Sequence, residues 1–486
     1  MNLKKLLSAL QKYEAVGPVD IEITGLSYSS RKTQKGHLFF ALPGAHHHGL
    51  NFLPQAEKAG AVAVLSNRRP EKTSIPCVLV DEPRTAMAAL GSAFYGHPSR
   101  KLKVFGVTGT NGKTTSTFLL QSILETAGMK CGLLGTVRYS GQKFQFPSTL
   151  TTPESLDLQE LFASMVQEGC HACVMEVSSH SLVQQRVAGT TFETAIFTNL
   201  TQDHLDFHKT MEQYFAAKKL LFDNSICETR QAVINRDDPY GRRLLDERKM
   251  SGLSAANYGF GRGCQFKVKR WTTTPAGSEI IVRYQNRDSR IKTPLLAKYN
   301  AYNITGVYAA ATLAGVERQH ILAGISNMLH VPGRLERVDH GQPFLIFIDY
   351  AHTEDAMRQL LMTVRQYTNE RLIVLFGCGG ERDRGKRPLM GRAAGELADE
   401  VILTSDNPRH ENPDEIIKEV KAGVAVSGNS NLHVFADRRE AIASAVGMAR
   451  PGDLLVLAGK GHEDYQIVGD VKLHFDEREI LKELLT

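Results

Sequence analysis

Long apolar runs are missing from this sequence. It contains no stretch of about 18 consecutive apolar residues, which a membrane-spanning helix would need. Residues 1–13 are charged and amphipathic, and they lack the continuous apolar core of a secretion signal. We therefore expect a cytoplasmic protein without a membrane partner.

Blocks of lysine and arginine are also missing. The formal net charge is only +6, and the basic residues are spread along the chain. Nucleic-acid-binding proteins usually concentrate such charge in a patch, so this pattern favours an anionic small substrate instead. We expect no nucleic-acid partner, and we expect the chain to act as a monomer.

The cysteines do not form the even set of a disulfide framework. There are seven, scattered from Cys77 to Cys378, which is typical of reduced thiols in a cytosolic protein. Cys170 and Cys173 have the spacing of a zinc-ligand pair, but no second pair accompanies them. We therefore do not expect a zinc site.

The composition fits a globular α/β protein of several domains. The 486 residues are 42% hydrophobic and 23% charged, which excludes a disordered or fibrous chain. Short apolar runs, such as residues 38–42, 61–65 and 77–80, alternate with helical segments. We predict three α/β domains: a small N-terminal domain (1–98), a central domain of the P-loop ATPase type (99–330) and a Rossmann-like C-terminal domain (331–486).

A phosphate-binding turn opens the central domain. The apolar run at residues 103–108 leads into Gly109-Thr110-Asn111-Gly112-Lys113-Thr114-Thr115. Glycines let backbone N–H groups approach an anion, Lys113 can reach terminal phosphates, and Thr114 can offer its hydroxyl to Mg²⁺. One departure is Val107, where the usual Walker spacing has glycine. The following helical segment, residues 116–127, has its predicted buried positions at Phe118, Leu119, Leu120, Ile123 and Leu124.

Polar residues follow three further apolar runs of this domain, at residues 172–175, 194–197 and 232–234. In a parallel sheet such residues converge beyond the carboxyl ends of the strands, here near the phosphate turn. Glu176 is either a metal ligand or a capping or loop carboxylate, and its position at a strand end beside the phosphate turn favours the metal. His204 is either a second ligand or a loop histidine.

Other candidates remain ambiguous from the residues alone. Lys218 has the pattern of a surface lysine. Asn300 and Asn303 open a helix, where they can cap it or contact a base. Ser30 and the turn at residues 44–49 lie in polar loops, which are either solvated or grip a nucleotide or sugar.

The C-terminal domain repeats the pattern of strands that end in polar clusters. Apolar runs occur at residues 344–348, 372–376, 401–403, 432–435 and 454–457. Polar clusters follow four of them, at residues 349–353, 377–383, 405–409 and 458–463. Four clusters at one end of a predicted sheet indicate a further ligand surface. The Val331-Pro332-Gly333-Arg334 turn is predicted to be the hinge between this domain and the rest.

Several of these motifs together resemble the Mur ligase family. They are Gly109-Thr110-Asn111-Gly112-Lys113-Thr114, Glu176-Val177-Ser178-Ser179-His180, Asp203-His204-Leu205-Asp206 and Asp349-Tyr350-Ala351-His352. The family consists of ATP-dependent amide-bond-forming enzymes of peptidoglycan precursor synthesis. Its phosphate turn resembles a Walker loop only at the Gly-Lys-Thr end, which accounts for Val107.

Within that family, three motifs resemble the members that add meso-diaminopimelate. They are Thr151-Thr152-Pro153, Asp406-Asn407-Pro408-Arg409 and Gly459-Lys460-Gly461-His462-Glu463. The planar fork of Arg409 suits the second carboxylate of meso-diaminopimelate, which L-lysine lacks. The alternatives are an L-lysine-adding or folylpolyglutamate-type ligase, and a nucleotide-binding scaffold without turnover.

The resemblance also implies a role for individual residues. The implied catalytic residues are Lys113, Glu176, His204 and Lys218, the last as a carbamate. ATP is implied at Gly109, Thr110, Asn111, Gly112, Lys113, Thr114, Thr115, Asn303, Asp349 and His352. Mg²⁺ is implied at Thr114, Glu176, His204 and Lys218. UDP-N-acetylmuramoyl-L-Ala-D-Glu is implied at Ser30, the 44–49 turn, Thr151, Thr152, Ser178, Gln184 and Arg186. meso-Diaminopimelate is implied at Arg382, Asp406, Asn407, Pro408, Arg409, Gly459 and Glu463.

Overall fold

The computed structural model describes residues 1–44 and 47–486. These residues divide into two compact units. The first comprises Met1–Trp271, Glu279–Lys292 and Lys298–Asn327, and the second comprises Thr272–Ser278, Thr293–Ala297 and Met328–Thr486. Both are mixed α/β structures, so the predicted fold class is confirmed.

The N-terminal part of the first unit is a sheet in the order β1-β5-β4-β3-β2, in which only β1 runs antiparallel among the described strands. Its strands are β1 Glu14–Val16, β2 Gly25–Ser27, β3 His37–Phe40, β4 Ala63–Ser66 and β5 Cys77–Leu79. Its helices are α1 Leu3–Leu7, α2 Leu53–Lys58 and α3 Pro83–Phe94, with 3₁₀ turns at Gly49–Phe52 and Pro98–Arg100. The three predicted apolar runs coincide with β3, β4 and β5.

The larger sheet of the middle of the chain has a parallel centre. Its order is β16-β15-β14-β13-β12-β11-β6-β10-β7-β8-β9. The strands are β6 Lys103–Thr108, β7 Cys131–Leu134, β8 Arg138–Ser140, β9 Gln145–Pro147, β10 Ala172–Glu176, β11 Thr191–Phe197, β12 Glu228–Asn235, β13 Ala256–Gly259, β14 Phe266–Thr274, β15 Gly277–Tyr284 and β16 Arg287–Thr293. The helices are α4 Lys113–Thr126, α5 Ser155–Gln167, α6 Ser179–Val183, α7 Leu205–His208, α8 Met211–Lys219, α9 Pro239–Met250, α10 Lys298–Leu313 and α11 Arg318–Asn327.

Burial explains the position of β6 at the centre of this sheet. Val104, Phe105 and Val107 are fully buried, as expected of a parallel strand covered on both faces. The predicted apolar positions of α4 are buried as well, with Leu119 and Leu120 at 0% exposure. Strands β10 and β11 flank β6 in parallel, so the loops after these three strands meet at one place.

The second unit contains a sheet in the order β17-β18-β22-β19-β20-β21, parallel except for β17 among the described strands. Its strands are β17 Glu336–Val338, β18 Leu345–Asp349, β19 Leu372–Phe376, β20 Glu400–Thr404, β21 Leu432–Phe435 and β22 Leu454–Ala458, and a hairpin adds β23 Tyr465–Val468 and β24 Val471–His474. Its helices are α12 Glu354–Arg365, α13 Lys386–Leu397, α14 Pro413–Ser427, α15 Arg438–Met448 and α16 Glu477–Leu485. The five predicted apolar runs coincide with β18 to β22.

The turn predicted as a hinge lies inside the second unit. Val331 is fully buried and pairs with Arg334 in an isolated bridge. Gly333 has a φ of 63°, and a Cβ at this position would lie 2.1 Å from the backbone nitrogen of His462. Only glycine fits there, so the turn packs directly against the backbone of Gly461 and His462.

Two further sequence expectations concern cysteines and membrane spans. The seven cysteines, all of which lie within the described residues, are free thiols. Across residues 1–44 and 47–486, no helix combines the length and apolarity needed to cross a membrane.

Candidate active site

The phosphate turn between β6 and α4 has room for glycine only. Gly109 and Gly112 adopt φ angles of 152° and 86°. A Cβ on Gly109 would lie 1.8 Å from Thr198 Oγ1, and a Cβ on Gly112 would lie 2.3 Å from Asn303 Oδ1. The turn is therefore compressed between the loop after β11 and helix α10, which leaves its backbone in a fixed shape.

The Thr198-Asn199 loop holds the turn through a set of hydrogen bonds. Asn111 N donates to Asn199 Oδ1 at 2.9 Å, and Asn199 Nδ2 donates back to Asn111 O at 3.1 Å. Thr198 Oγ1 donates to the same Asn111 carbonyl at 2.6 Å. The sequence predicted that the polar residues after this strand lie near the phosphate turn, and the hydrogen bonds of Thr198 and Asn199 agree with that prediction.

Asn300 and Asn303 lie within the first turns of α10, so neither precedes the helix as an N-cap. Both are buried, and Asn303 Nδ2 donates to Asn300 Oδ1 at 3.1 Å. The close approach of Asn303 to Gly112 brings α10 against the phosphate turn. The capping alternative is therefore wrong for both residues, and contact with a base stays a prediction.

Two lysines converge on the carbonyl oxygen of Gly109. Lys113 Nζ donates to Gly109 O and to Thr110 O, each at 2.9 Å. Lys218 Nζ donates to Gly109 O at 2.9 Å and lies 4.7 Å from the centroid of the Tyr214 ring. The interpretation of Lys218 as a surface lysine is wrong, because only 1% of the residue is exposed.

Burial changes the protonation of Lys218. It lowers the pKa of the Lys218 amine well below its ordinary value, and the positive charge of Lys113 lowers it further. The negative charge of Asp203 raises this pKa, but its effect is smaller than those of burial and of Lys113. The balance of these causes favours the neutral form of the Lys218 amine.

A group of histidines borders the same turn. His204 has a φ of 53° at the start of α7, and its Nε2 lies 3.4 Å from Asp203 Oδ2. Its ring contacts that of His180 at a centroid distance of 4.9 Å. Burial lowers the pKa of His204, and it lowers the pKa of His208 to about 4. These imidazoles are therefore neutral near pH 7, which is the form that binds a metal.

Glu176, at the end of β10, is 1% exposed and is held by Thr136. The Thr136 backbone N–H donates to Oε1 at 2.9 Å, and its hydroxyl donates to Oε2 at 3.0 Å. The neighbouring helix α6 is capped by Ser178 and not by Glu176. Glu176 therefore caps no helix, but it does accept from the loop after β7, and its role as a metal ligand stays a prediction.

The residues predicted to bind the muramoyl-dipeptide form one network with Glu176. Thr152 Oγ1 donates to the Glu176 carbonyl at 2.9 Å and accepts from Ser178 N at 3.1 Å. Arg186 donates to Thr152 O at 3.0 Å and to Gln184 Oε1 at 2.6 Å. Thr151 joins through Thr136, whose hydroxyl lies 3.2 Å from Thr151 Oγ1. The structure thus brings these residues together, as the resemblance implied.

The chemistry of Thr114, Glu176 and His204 fits a magnesium ion. Residues 1–44 and 47–486 contain no cluster of three or more histidine, cysteine, aspartate or glutamate side chains that could enclose a metal. Mg²⁺ in phosphoryl-transfer sites is typically bound by one or two carboxylates together with phosphate oxygens. One buried carboxylate, a threonine hydroxyl and a neutral imidazole match that mode.

A second cluster lies in the second unit, beyond β19, β20 and β22. Asn407 Nδ2 donates to Glu463 Oε2 at 2.8 Å. Gly459 has a φ of 106°, and a Cβ there would lie 2.9 Å from Asp406 Oδ2. The four polar clusters predicted at one end of the sheet do meet there, since the strands that carry them are parallel.

Two arginines border this second cluster. Arg409 is half-buried, with a φ of 54°, and donates from Nη1 to Gly380 O at 2.6 Å. Arg382 is exposed, and both arginines lie beside Gly379. Pro408 is buried, and its carbonyl oxygen faces Gly380. All seven residues implied for the added amino acid therefore belong to one neighbourhood.

Three further predicted residues lie at two places. Asp349, at the end of β18, accepts through its side chain from Leu335 N at 2.7 Å and Ala351 N at 2.8 Å, and burial raises its pKa. Its carbonyl accepts from Gly459 N of the second cluster at 3.0 Å. His352 is exposed and follows in the same loop. Ser30 donates to Gln55 Oε1 of helix α2 at 3.1 Å. Residues 45 and 46 of the predicted 44–49 turn lie outside the described residues.

Three family models match the chain. The Mur ligase family catalytic domain matches residues 22–95, the Mur ligase middle domain matches residues 107–311, and the Mur ligase glutamate ligase domain matches residues 333–461. They follow one another in the order of the three predicted domains.

Relatives of known sequence and structure agree with these matches. A protein of Clostridium acetobutylicum, named UDP-N-acetylmuramoyl-L-alanyl-D-glutamate--2,6-diaminopimelate ligase 1, is 44% identical, over 100% of this chain and 99% of its own. A solved structure of a ligase of that name is 30% identical and superposes with a TM-score of 0.72, covering 100% of this chain and 98% of the other. MurF of Thermotoga maritima in complex with ADP shares the fold at 16% identity and a TM-score of 0.64, over 95% and 96% of the two chains. The chain belongs to the Mur ligase family.

Proposed function

We propose that this protein is an ATP-dependent ligase that joins meso-diaminopimelate to the D-glutamate of UDP-N-acetylmuramoyl-L-Ala-D-Glu, in peptidoglycan precursor synthesis. One observation carries the proposal: the loop after β20 holds both Arg409, which donates to Gly380 O, and Asn407, which donates to Glu463, while Asp406 of the same loop lies against Gly459. This arrangement offers a guanidinium to a carboxylate and carboxylates to an ammonium group. The shared name of full-length relatives at 30% identity or more supports it.

The first step activates a carboxylate, which is a poor electrophile by itself. The D-glutamyl carboxylate oxygen attacks the γ-phosphorus of ATP, the bond to the bridging oxygen breaks, and ADP leaves an acyl phosphate behind. Lys113 and the fixed amides of the Gly109–Gly112 turn stabilise the charge that develops on the phosphoryl oxygens. Because these donors are held in place before the reaction, little reorganisation is needed.

Thr114, Glu176 and His204 are the residues that would hold magnesium in this site. When bound, Mg²⁺ neutralises phosphate charge and polarises the transferred group. A carbamate on Lys218 would add anionic oxygens to this set. Thr136 fixes the Glu176 carboxylate through both of its oxygens, so the ligand is oriented in advance.

The second step makes the amide bond. An amine of meso-diaminopimelate attacks the acyl carbon, a tetrahedral intermediate forms, and phosphate leaves as the amine loses a proton. At the far end of the amino acid, the fork of Arg409 binds the second carboxylate and Asp406 with Glu463 binds the ammonium group. L-Lysine would leave Arg409 without its carboxylate, which disfavours that substrate.

The proposal is tested by ATP-dependent phosphate release with UDP-N-acetylmuramoyl-L-Ala-D-Glu, comparing meso-diaminopimelate with L-lysine. We expect release with meso-diaminopimelate and much weaker release with L-lysine. Preference for L-lysine would overturn the assignment of the amino acid but keep the ligase class. No release with either, in protein that binds ADP, would favour a non-catalytic nucleotide-binding protein.

Arg409→Lys should raise the KM for meso-diaminopimelate by about 10- to 100-fold, since a charge-assisted bidentate contact becomes a single one. The KM for ATP should change by less than about threefold, because Lys113 and the phosphate turn are untouched. Steady-state kinetics with each substrate varied in turn measure both values. Arg392→Ala, which removes an exposed arginine paired with Glu396, is the matched control. Equal effects on both KM values would contradict the role of Arg409.

Thr136→Val should raise the Mg²⁺ concentration required for half-maximal activity by about 10-fold, since it removes one of the two donors that orient Glu176. The backbone donor remains, so activity should return at saturating Mg²⁺. A magnesium titration of phosphate release measures the shift. Thr368→Val, which removes a hydroxyl donor to a helix carbonyl in the second unit, is the control. An unchanged magnesium requirement would remove Glu176 from the proposed ligand set.

The proposed reaction also bears on where the protein acts and on its partners. ATP and a nucleotide-linked substrate are consumed together, so the enzyme acts in the cytoplasm, on small molecules and without a nucleic-acid or membrane partner. We expect the active form to be a monomer. Sedimentation at the concentration used for kinetics tests this, and a dimer would contradict it.

A further inference from the structure

Lys460 lies at the centre of the second cluster, behind the residues implied for the added amino acid. It is fully buried, and its Nζ donates to Tyr465 O at 2.6 Å and to Asn407 Oδ1 at 3.3 Å. The same Nζ lies 3.6 Å from Glu463 Oε2 and 4.0 Å from Asp406 Oδ1. The Lys460 ammonium therefore lies close to the side chains of Asp406, Asn407 and Glu463. Because Lys460 is fully buried, a ligand cannot contact it directly.

The two carboxylates would repel each other without this cation. Their side chains are only 10% and 13% exposed. Burial and the negative charge of Asp406 raise the pKa of Glu463, whereas Lys460 and the Asn407 amide lower it. Like charges in a buried site favour protonation of one partner, unless an opposite charge lies close by.

We propose that Lys460 is a positioning residue that keeps Asp406 and Glu463 charged and aligned, so that both carboxylates accept hydrogen bonds from the ammonium group of the incoming amino acid. This inference rests on the proposed function. Lys460 acts through its neighbours, because its complete burial prevents contact with the amino acid. It also fixes Asn407, whose Oδ1 accepts from Ile467 N at 2.9 Å and whose Nδ2 donates to Glu463.

Other charged and titratable groups face this cluster, and none of them replaces Lys460. The phenols of Tyr350 and Tyr465 border it, and Arg334 and Arg409 add positive charge at its edge. Lys472 lies over the Tyr465 ring at 3.6 Å but belongs to an exposed strand of the hairpin. Asp464 adds a further negative charge near Tyr465. Of these cations, Lys460 is the one placed between the two carboxylates.

The test replaces Lys460 with methionine, which fills similar space without charge, and uses Lys472→Met as the matched control. At pH 7, Lys460→Met should raise the KM for meso-diaminopimelate at least about 10-fold, with less than threefold change in the KM for ATP. Burial and Asp406 already raise the pKa of Glu463, and loss of the cation raises it further, so a larger fraction of the carboxyl is protonated and this fraction ionises as the pH increases. The KM of the variant should therefore fall towards the wild-type value between pH 7 and 9. Lys472→Met should behave as the wild type.

A double variant separates charge compensation from general support of the loop. Glu463→Gln removes one negative charge and should itself raise the KM for meso-diaminopimelate. Adding Lys460→Met to it should change that KM by less than about threefold, since Asp406 then has no second carboxylate beside it whose repulsion Lys460 must offset. Multiplication of the two single effects, or a pH-independent KM in Lys460→Met, would overturn the proposal. If Lys460→Met does not fold, the double variant alone decides between these outcomes.

The wild-type reaction distinguishes this inference from the function on which it rests. Phosphate release by the wild type with meso-diaminopimelate, together with an unaffected Lys460→Met, would overturn the role of Lys460 only. Absence of release by the wild type would overturn the proposed function and this inference with it.

Discussion

Replacing Lys113 with alanine is expected to lower the rate of ADP release by about 10²- to 10³-fold or more, because the ammonium group that would stabilise charge on the transferred phosphate is lost. In the structure the Lys113 ammonium folds back onto the carbonyls of Gly109 and Thr110. Those carbonyls hold the amine beside the turn until an anion competes for it. The variant should still fold, since the main chain of the turn is fixed by Thr198 and Asn199.

The experiment measures single-turnover ADP formation and ADP affinity in the same variant. A transition-state role predicts a large loss of rate with an ADP affinity weakened by about 10-fold at most. Lys130→Ala, at an exposed position after α4, is the control for loss of a positive charge from this domain. Turnover by Lys113→Ala at a rate close to the wild type would show that another group carries the charge of the phosphoryl transfer.

Local sequence patterns were sufficient for the strand, turn and helix around Lys113. Strand β6 is a continuous apolar run, the glycines mark positive φ, and the buried positions of α4 follow the helical period. The same reasoning located β18 to β22 and the polar clusters beyond them. In these cases the signal lies in neighbouring residues, so no knowledge of distant contacts is needed.

The contacts between distant segments could not be predicted in this way. Lys218 donates to a carbonyl 109 positions earlier, and its own helix α8 has an unremarkable mixture of polar and apolar residues. Thr136 reaches Glu176 across 40 positions and Asn199 reaches Asn111 across 88. A side chain that is polar in composition but buried by tertiary packing gives no periodic signal. Only the family resemblance singled out Lys218.

The geometry around Lys218 makes it the residue most suited to react with carbon dioxide. Only the neutral amine is nucleophilic, and burial together with Lys113 lowers the pKa of Lys218 well below its ordinary value. The amine nitrogen would attack the carbon of CO₂, and an N–H proton would leave to solvent, which gives an anionic carbamate. That anion would gain from the nearby Lys113 cation and from magnesium, so the modified form is favoured once formed.

Lys218→Ala is therefore expected to lower ligase turnover by about 10²- to 10³-fold, as removal of a charged group from such a site does. A short carboxylate such as acetate should restore part of the activity, because it can supply anionic oxygens in the space left by the side chain. The control is Lys219→Ala, which removes the adjacent lysine that is paired with Glu247. In ¹³C-bicarbonate, the wild type and Lys219→Ala should show a carbamate carbonyl resonance that Lys218→Ala lacks. Full turnover by Lys218→Ala would exclude a catalytic role, whereas lost turnover with no resonance in the wild type would leave Lys218 as a neutral amine that supports Gly109. The turnover and the carbamate resonance together distinguish two roles of Lys218. One is the negative charge of a carbamate, and the other is the hydrogen bond that the unmodified amine donates to Gly109 O.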